Sequence, residues 1–475
     1  TLLRYRNGMT PSLLNWGFNL GDSMRERLAR WLETLSIWGL AVLLVTLPFW
    51  RHRVLIHRPV DPVFFEFHDI TLYTNDLVWW MAVGAWLLSR LVDRTPARLR
   101  LGPWFLFGPL AGFIVLSMVG VPFAIDRLYA AYQTLRLLTL LALYLLLVNI
   151  PLARGTVAWP LAAGMALQTV VAVPQFVLGR SLGLKRLGEV TVDAAWPGAS
   201  VVMVGEERWL RAYGLSQHPN LLAGCLMAML LVVVGYYLIQ RDWRRIPLLL
   251  ALGLGFTGLL LTFSRAAWLG TLVGGGAMLV LLAWAWHRKQ WSPDWLALAL
   301  LSAVLLGLIV SFVAINWPLL QPRLGLVSQG TEIRSVEARK MQVPAALELI
   351  RLRPVLGVGL GNYPTALYQL ARDTVAAYPV FQPVYNVALL VTAELGILGG
   401  LLWLFLILSP WTALWLGRRQ VRITAWWTGL SGAFLALTVI SFLDFYVWTS
   451  HQGRLMLWLV LGLWAREWGA AERNA

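Results

Sequence analysis

Apolar residues fall along this chain in long runs separated by short polar breaks, and that spacing sets the first structural expectation. The runs approach about 20 residues, the length at which an α-helix crosses a hydrocarbon layer about 30 Å thick. Spans are expected at 34–50, 76–92, 103–122, 128–150, 157–178, 216–239, 247–263, 266–286, 295–319, 385–408, 424–443 and 453–467. With the N-terminus in the cytoplasm, the short loops that face inside carry Arg90, Arg94, Arg98 and Arg100, then Arg154, Arg241, Arg244 and Arg245, Arg288 and Lys289, and Arg418, Arg419 and Arg422. That is the positive-inside pattern, and an even number of spans leaves both termini inside. Two longer stretches, 179–215 and 320–384, then fall outside. In 335–352, Val336, Val343, Leu347 and Ile350 recur at helical spacing with Arg339 at the border of the face. This segment is expected to lie on the outer membrane surface, with Pro344 kinking it or starting it anew. The expected fold is therefore all-α and polytopic, about twelve transmembrane helices with short helices in a long extracytoplasmic loop. Its parts are a cytoplasmic arm at 1–33 ending in Arg25, Arg27 and Arg30, one transmembrane domain at 34–467, and a cytoplasmic tail at 468–475.

Composition agrees with the pattern and excludes several classes. Apolar residues make up 59% of the 475 positions, charged residues 13%, and mean hydropathy is +0.66. A soluble globule of this size needs far more polar surface, so a soluble enzyme, a nucleic-acid-binding domain and a disordered chain are all excluded. The net charge of +16 is first a matter of inside loops. Lysine occurs only at 185, 289 and 340, and arginine supplies the remaining positive charge. Two causes of that bias stay open, a GC-rich genome and the rigid guanidinium fork that suits phosphate and carboxylate. Cys225 stands alone, so there is neither an intrachain disulfide nor a cysteine metal site. The first 30 residues lack a signal-peptide apolar region.

The outer loops carry positive charge that topology does not require. The first holds Arg180, Lys185, Arg186, Arg208 and Arg211. The second holds Arg323, Arg334, Arg339, Lys340, Arg351, Arg353 and Arg372. Arginines just above a bilayer suit an anionic ligand at headgroup level, although plain attraction to anionic lipid would also place them there. Arg265 lies in Leu261-Thr262-Phe263-Ser264-Arg265-Ala266 between two spans with almost no loop. It reads either as a ligand clamp or as an arginine snorkelling at a hairpin tip.

Four local patterns follow in order on the expected outer face. They are Arg211-Ala212-Tyr213-Gly214 running on to Ser216-Gln217-His218-Pro219-Asn220; Ser264-Arg265-Ala266; Ser335-Val336-Glu337-Ala338-Arg339 with Arg353-Pro354-Val355-Leu356-Gly357-Val358-Gly359-Leu360-Gly361-Asn362-Tyr363; and Tyr385-Asn386 ahead of Gly396-Ile397-Leu398-Gly399-Gly400. Together, over about 200–400, they resemble the O-antigen ligase family, which includes O-antigen polymerase-like and protein O-oligosaccharyltransferase members. The resemblance implies a membrane glycosyltransferase of surface polysaccharide assembly in the bacterial cytoplasmic membrane. It would join a glycan from undecaprenyl diphosphate to a hydroxyl of a glycan, lipid or protein acceptor on the outer face. It also implies that Arg265 and Arg339 hold the diphosphate, and Arg211 could join them. Guanidinium forks in a water-poor site neutralise a leaving diphosphate without a proton, so no metal, nucleotide or other cofactor is required.

One departure bears on the chemistry. The family pattern has a histidine, a candidate general base, where this chain has Tyr385, and a phenol is a poor base at neutral pH. Tyr385 with Asn386 would orient the acceptor. Asp444 is the preferred substitute base, ahead of His451, His218 and Glu394. The run Gly357-Val358-Gly359-Leu360-Gly361 has neither the spacing nor the βαβ setting of a dinucleotide site and is expected to form a tight turn. Tryptophans near the outer loops, Trp196, Trp209, Trp317 and Trp448, could stack on sugars. A competing reading is a binding or transport protein of the same fold that takes lipid-linked glycans without chemistry. Polar residues inside spans, notably Gln133, Arg136 and Gln168, would serve it.

Overall fold

Inside a bilayer a backbone must satisfy its own hydrogen bonds, and a helix does so within one segment. The computed structural model describes residues 24–58, 63–93, 98–327, 330–374, 381–417 and 422–473, so expectations for residues 1–23 and for Arg94, Arg418 and Arg419 lie outside the described residues. Fifteen helices are described: α1 (Met24–Thr46), α2 (Thr74–Val92), α3 (Trp104–Gly120), α4 (Arg127–Asn149), α5 (Arg154–Leu178), α6 (Pro219–Tyr237), α7 (Arg245–Leu261), α8 (Arg265–His287), α9 (Trp295–Arg323), α10 (Gly330–Leu352), α11 (Tyr363–Thr374), α12 (Val387–Leu416), α13 (Ala425–Ser441), α14 (Tyr446–Thr449) and α15 (His451–Arg473). Among them α1, α3, α4, α5, α6, α8, α9 and α12 are long and apolar enough to cross a membrane, and α7 and α13 are shorter apolar helices. The two remaining expected spans coincide with α2 and α15, whose ends carry Asp76 and Arg90, and Arg454, Arg466 and Glu467. The molecule is an all-α, multi-pass membrane protein.

Boundaries differ from expectation where charge lies on a helix. α1 begins at Met24 rather than 34, with Arg25, Arg27 and Arg30 exposed along its first turns. α12 begins at Val387, leaving Tyr385 and Asn386 in the turn before it. Two small antiparallel sheets were not foreseen. One pairs β1 (His52–Ile56) with β2 (Ile70–Tyr73), and the other pairs β3 (Val201–Val204) with β4 (Glu207–Leu210). The second closes through Gly205 at φ +59°, the left-handed conformation a two-residue hairpin demands.

Small residues let the helices that carry the site approach closely. A side chain at Gly274 of α8 would meet the Gly432 carbonyl of α13 at 2.4 Å, and one at Gly235 of α6 would meet the Ala425 carbonyl at 2.7 Å. Such contacts replace the hydrophobic drive that helices lack among lipid tails. α10 runs through Pro344 without a break. Its buried face is Gln342, Ala345, Ala346 and Leu349, while Val343 and Leu347 are exposed. Of the expected apolar stripe, Val343 and Leu347 thus face away from the protein and Ile350 is half-buried against it, while the two alanines allow a close approach to α12.

α12 opens at Gly396, whose φ of 74° and ψ of −178° lie outside the helical region. The stretch after α10 docks its backbone there. Val358 N–H donates to the Ala393 carbonyl at 2.9 Å, Gly359 N–H to the Glu394 carbonyl at 3.0 Å, and Ile397 N–H to the Pro354 carbonyl at 2.8 Å. Gly357, Gly359 and Gly361 all take positive φ, so the glycine run is a sequence of tight turns. A Cβ at Gly396 would lie 2.1 Å from the Val355 carbonyl oxygen. Gly396→Ala therefore combines a forbidden backbone angle with a clash. It is expected to destabilise the protein by about 1–3 kcal/mol, read as a lower melting temperature in detergent. An unchanged melting temperature would mean that the loop is not seated on α12.

Candidate active site at one end of the helix bundle

A cavity of about 560 Å³ opens at the end of the bundle that carries both small sheets and the long loops. Its walls come from the 50–73 segment, the start of α4, the 190–199 loop, the turn before α6, and residues 382–385 and 444–454. Of the candidate catalytic and diphosphate-binding residues, Tyr385 and Asp444 line it directly, as do His218, His451, Gln133, Arg136 and Trp196, also named from the sequence.

Asp444 is buried in the turn between α13 and α14. Its Oδ2 accepts from Asn220 Nδ2 at 3.0 Å and its Oδ1 from the Phe445 N–H at 2.8 Å. Burial raises the Asp444 pKa, against the pull of the Arg339 charge and of hydrogen bonds from the Phe445 N–H, Asn220 and the Tyr446 N–H. Asn220 in turn accepts from Arg211 through Oδ1 at 2.6 Å. β4 delivers Arg211, which also donates to the Thr262 carbonyl at 2.6 Å and to Ser200 Oγ at 2.8 Å. Arg211 is thus buried and already engaged, and it reaches the site through Asn220.

Arg339 of α10 stacks on Tyr385, with its guanidinium carbon 4.6 Å from the ring centroid. Its Nε is buried without a hydrogen-bond partner among the described residues. Burial pushes the Tyr385 pKa up to about 12, with the Asp444 charge adding to the rise and Arg339 opposing it. The phenol therefore stays protonated at neutral pH and does not accept a proton. Asn386 caps α12 by accepting from the Leu389 N–H at 3.1 Å. Arg265 is exposed at the start of α8 and donates to the Arg323 carbonyl at 3.3 Å, away from the cavity lining. Arg323 and Arg211 both stand near His218, which caps α6 by accepting from the Asn220 N–H at 3.1 Å. The geometry gathers Arg339, Tyr385 and Asp444, ties in Arg211 through Asn220, and leaves Arg265 at the margin.

The other polar and aromatic residues named from the sequence have partners of their own, some of them at the cavity. Arg136 of α4 pairs with both Asp76 oxygens at 3.2 and 3.3 Å and also contacts His451 Nδ1. The His451 ring stacks on Tyr73 at 4.3 Å. Arg454 donates to Gln133 at 2.6 Å. Gln168 accepts from the Leu215 N–H at 2.8 Å, a structural task. Trp196 lines the cavity, whereas Trp448 is buried and donates to Glu394 at 3.0 Å. Glu394 is thereby committed to the core. Glu66, which no sequence pattern singles out, also lines the cavity, from a short 3-10 turn, Phe65–Phe67. Trp50 Nε1 donates to its Oε1 at 3.1 Å. Burial raises the Glu66 pKa to about 7, while hydrogen bonds from Gln217 and Trp50 pull the other way.

Residues 248–404 match the family model described as O-antigen ligase, a stretch that contains Arg265, Arg339, Tyr385 and Asn386. No curated protein matches the chain.

Glu66 gives the fold a pH signature. Its pKa in the folded state, about 7, lies above the ordinary 4.5, so the folded state holds the proton more tightly than the unfolded chain. Its contribution to stability is full below about pH 4.5 and is lost as pH rises through about 7. The melting temperature should fall over that interval, and Glu66→Gln should flatten the slope. A slope unchanged by Glu66→Gln would mean that another group titrates.

Proposed function

We infer that this multi-pass membrane protein, assigned to the O-antigen ligase family, transfers a glycan from undecaprenyl diphosphate to an acceptor hydroxyl on the extracytoplasmic face of a bacterial cytoplasmic membrane. The observation that carries the reading is the Arg339–Tyr385–Asp444 cluster, of which Tyr385 and Asp444 line the cavity and Arg339 and Tyr385 fall inside the matched region. Transfer breaks the bond between the anomeric carbon and the diphosphate oxygen, so negative charge grows on the leaving group. Arg339 offers an unpartnered Nε to that charge, and stacking on Tyr385 fixes its orientation. Arg265 and the engaged Arg211 extend the positive field around the same end of the bundle. Asn386 and Asp444 set the positions of the α12 turn and of the cavity wall, and Tyr385 offers the acceptor a hydroxyl rather than a base.

A second reading is favoured by the same phenol. With a tyrosine at 385 and no proton acceptor there, a protein of this fold would bind or move lipid-linked glycans without transfer.

Turnover separates the two. Purified protein in detergent is given an undecaprenyl-diphosphate oligosaccharide and a panel of acceptors, and release of undecaprenyl diphosphate is followed. Arg339→Ala should lower release by about 10²–10³-fold, the usual effect of removing one charge-stabilising donor. Tyr385→Phe keeps the ring that Arg339 packs on and should cost less. Binding of the lipid-linked glycan with no release for any acceptor would establish the second reading.

A further inference from the structure

The transfer reading leaves the acceptor proton without a recipient at position 385, and the cavity offers few places for it. His218 Nδ1 is occupied by the Asn220 N–H and His451 Nδ1 by the Arg136 guanidinium. Asp444 takes three donors, Asn220 and the Phe445 and Tyr446 N–H groups, so most of its lone pairs are spent on holding the wall. Glu66 differs. A carboxylate offers about four acceptor sites. Two groups use those of Glu66, Trp50 at 3.1 Å and Gln217, and both carboxyl and neighbours line the cavity.

Its placement relative to Asp444 is fixed by one short turn. Gln217 bonds Glu66 and Asn220 bonds Asp444, so the two carboxyls are bridged by residues 217–220. Four consecutive residues span at most about 11 Å between their outer Cα atoms, so both carboxyls stand by the opening turn of α6 and line the same cavity. The Glu66 main chain is itself pinned, since its carbonyl accepts from the Tyr129 hydroxyl at 2.7 Å.

We propose that Glu66, supplied by the α1–α2 connection outside the matched region, is the general base for the acceptor hydroxyl. This rests on the transfer reading above. The acceptor O–H proton passes to a Glu66 carboxylate oxygen as that hydroxyl oxygen bonds the anomeric carbon. The bond from that carbon to the diphosphate oxygen breaks, and the electron pair leaves with the diphosphate toward Arg339. The proton on Glu66 is then lost to water, restoring the carboxylate.

The rate should rise with pH as Glu66 loses its proton, giving an acid limb near pH 7. The groups facing Glu66 are the Tyr73 and Tyr129 phenols, with Trp50 and Gln217 neutral. The remaining charged or titratable groups of the walls are His218, Asp444, His451, Arg454, Arg136 with its partner Asp76, and the phenols of Tyr132, Tyr213, Tyr385 and Tyr446. Two variants isolate Glu66 among them.

The test is the pH profile of undecaprenyl diphosphate release by the full chain. Glu66→Gln, nearly isosteric and still able to accept from Trp50, should slow release about 10²-fold or more and abolish the acid limb, with binding of the lipid-linked donor retained. Gln217→Ala removes a hydrogen bond that lowers the Glu66 pKa, so it should move the limb to higher pH without touching the carboxyl. A Glu66→Gln rate close to wild type, or a limb unmoved in Gln217→Ala, overturns the assignment and leaves the transferase reading standing. A wild type that releases nothing overturns the transferase reading, and this assignment with it. Monodisperse elution of each variant separates loss of chemistry from loss of fold.

Discussion

Asn220 carries two hydrogen bonds that hold the charges of this site in register. Its amide oxygen takes the Arg211 guanidinium at 2.6 Å and its amide nitrogen donates to Asp444 at 3.0 Å. A charge buried among apolar helices is costly unless it is paired and hydrogen-bonded. Here one neutral side chain mediates between a cation delivered by β4 and an anion between α13 and α14. The backbone beside it is capped by His218, whose neighbour Gln217 holds Glu66. The opening turn of α6 thereby fixes groups that are more than two hundred residues apart in sequence. The same economy recurs on the far wall, where Asp76 satisfies Arg136 and Arg136 in turn satisfies His451.

The fold was legible because apolar run length is a one-dimensional property. Every expected span coincides with a described helix, eight of them long and apolar enough to cross a membrane, since a helix satisfies its backbone within one segment. Edges were less legible. α1 starts ten residues early because exposed arginines do not stop a helix. Apolar periodicity does not single out the side of α10 that packs on protein, Gln342, Ala345, Ala346 and Leu349, because two of its four residues are alanines and one is polar. The hairpin at Gly205 escaped notice because strands four residues long leave almost no periodicity.

The site was partly legible. Arg339, Tyr385 and Asp444 were picked from local motifs and from the last outer turn, and the structure sets them side by side. Arg211 and Asn386 were also picked, but their contacts are those of a buried clamp and a helix cap. Glu66 carries no motif. It is one carboxylate in Phe64-Phe65-Glu66-Phe67, and only tertiary structure brings it to the cavity that Tyr385 also lines. A pairwise relation across three hundred residues is not written in local spacing.

The opening of α12 at Gly396 makes two arms spring from one anchor. α10, bearing Arg339, leads into the loop seated on that opening, and the first half of α12 runs back from it toward Tyr385. The guanidinium and the ring it covers are therefore the tips of a pair of tweezers whose pivot lies deep in the bundle. The backbone hydrogen bonds at that pivot join the two arms, so a change there would be felt at both tips.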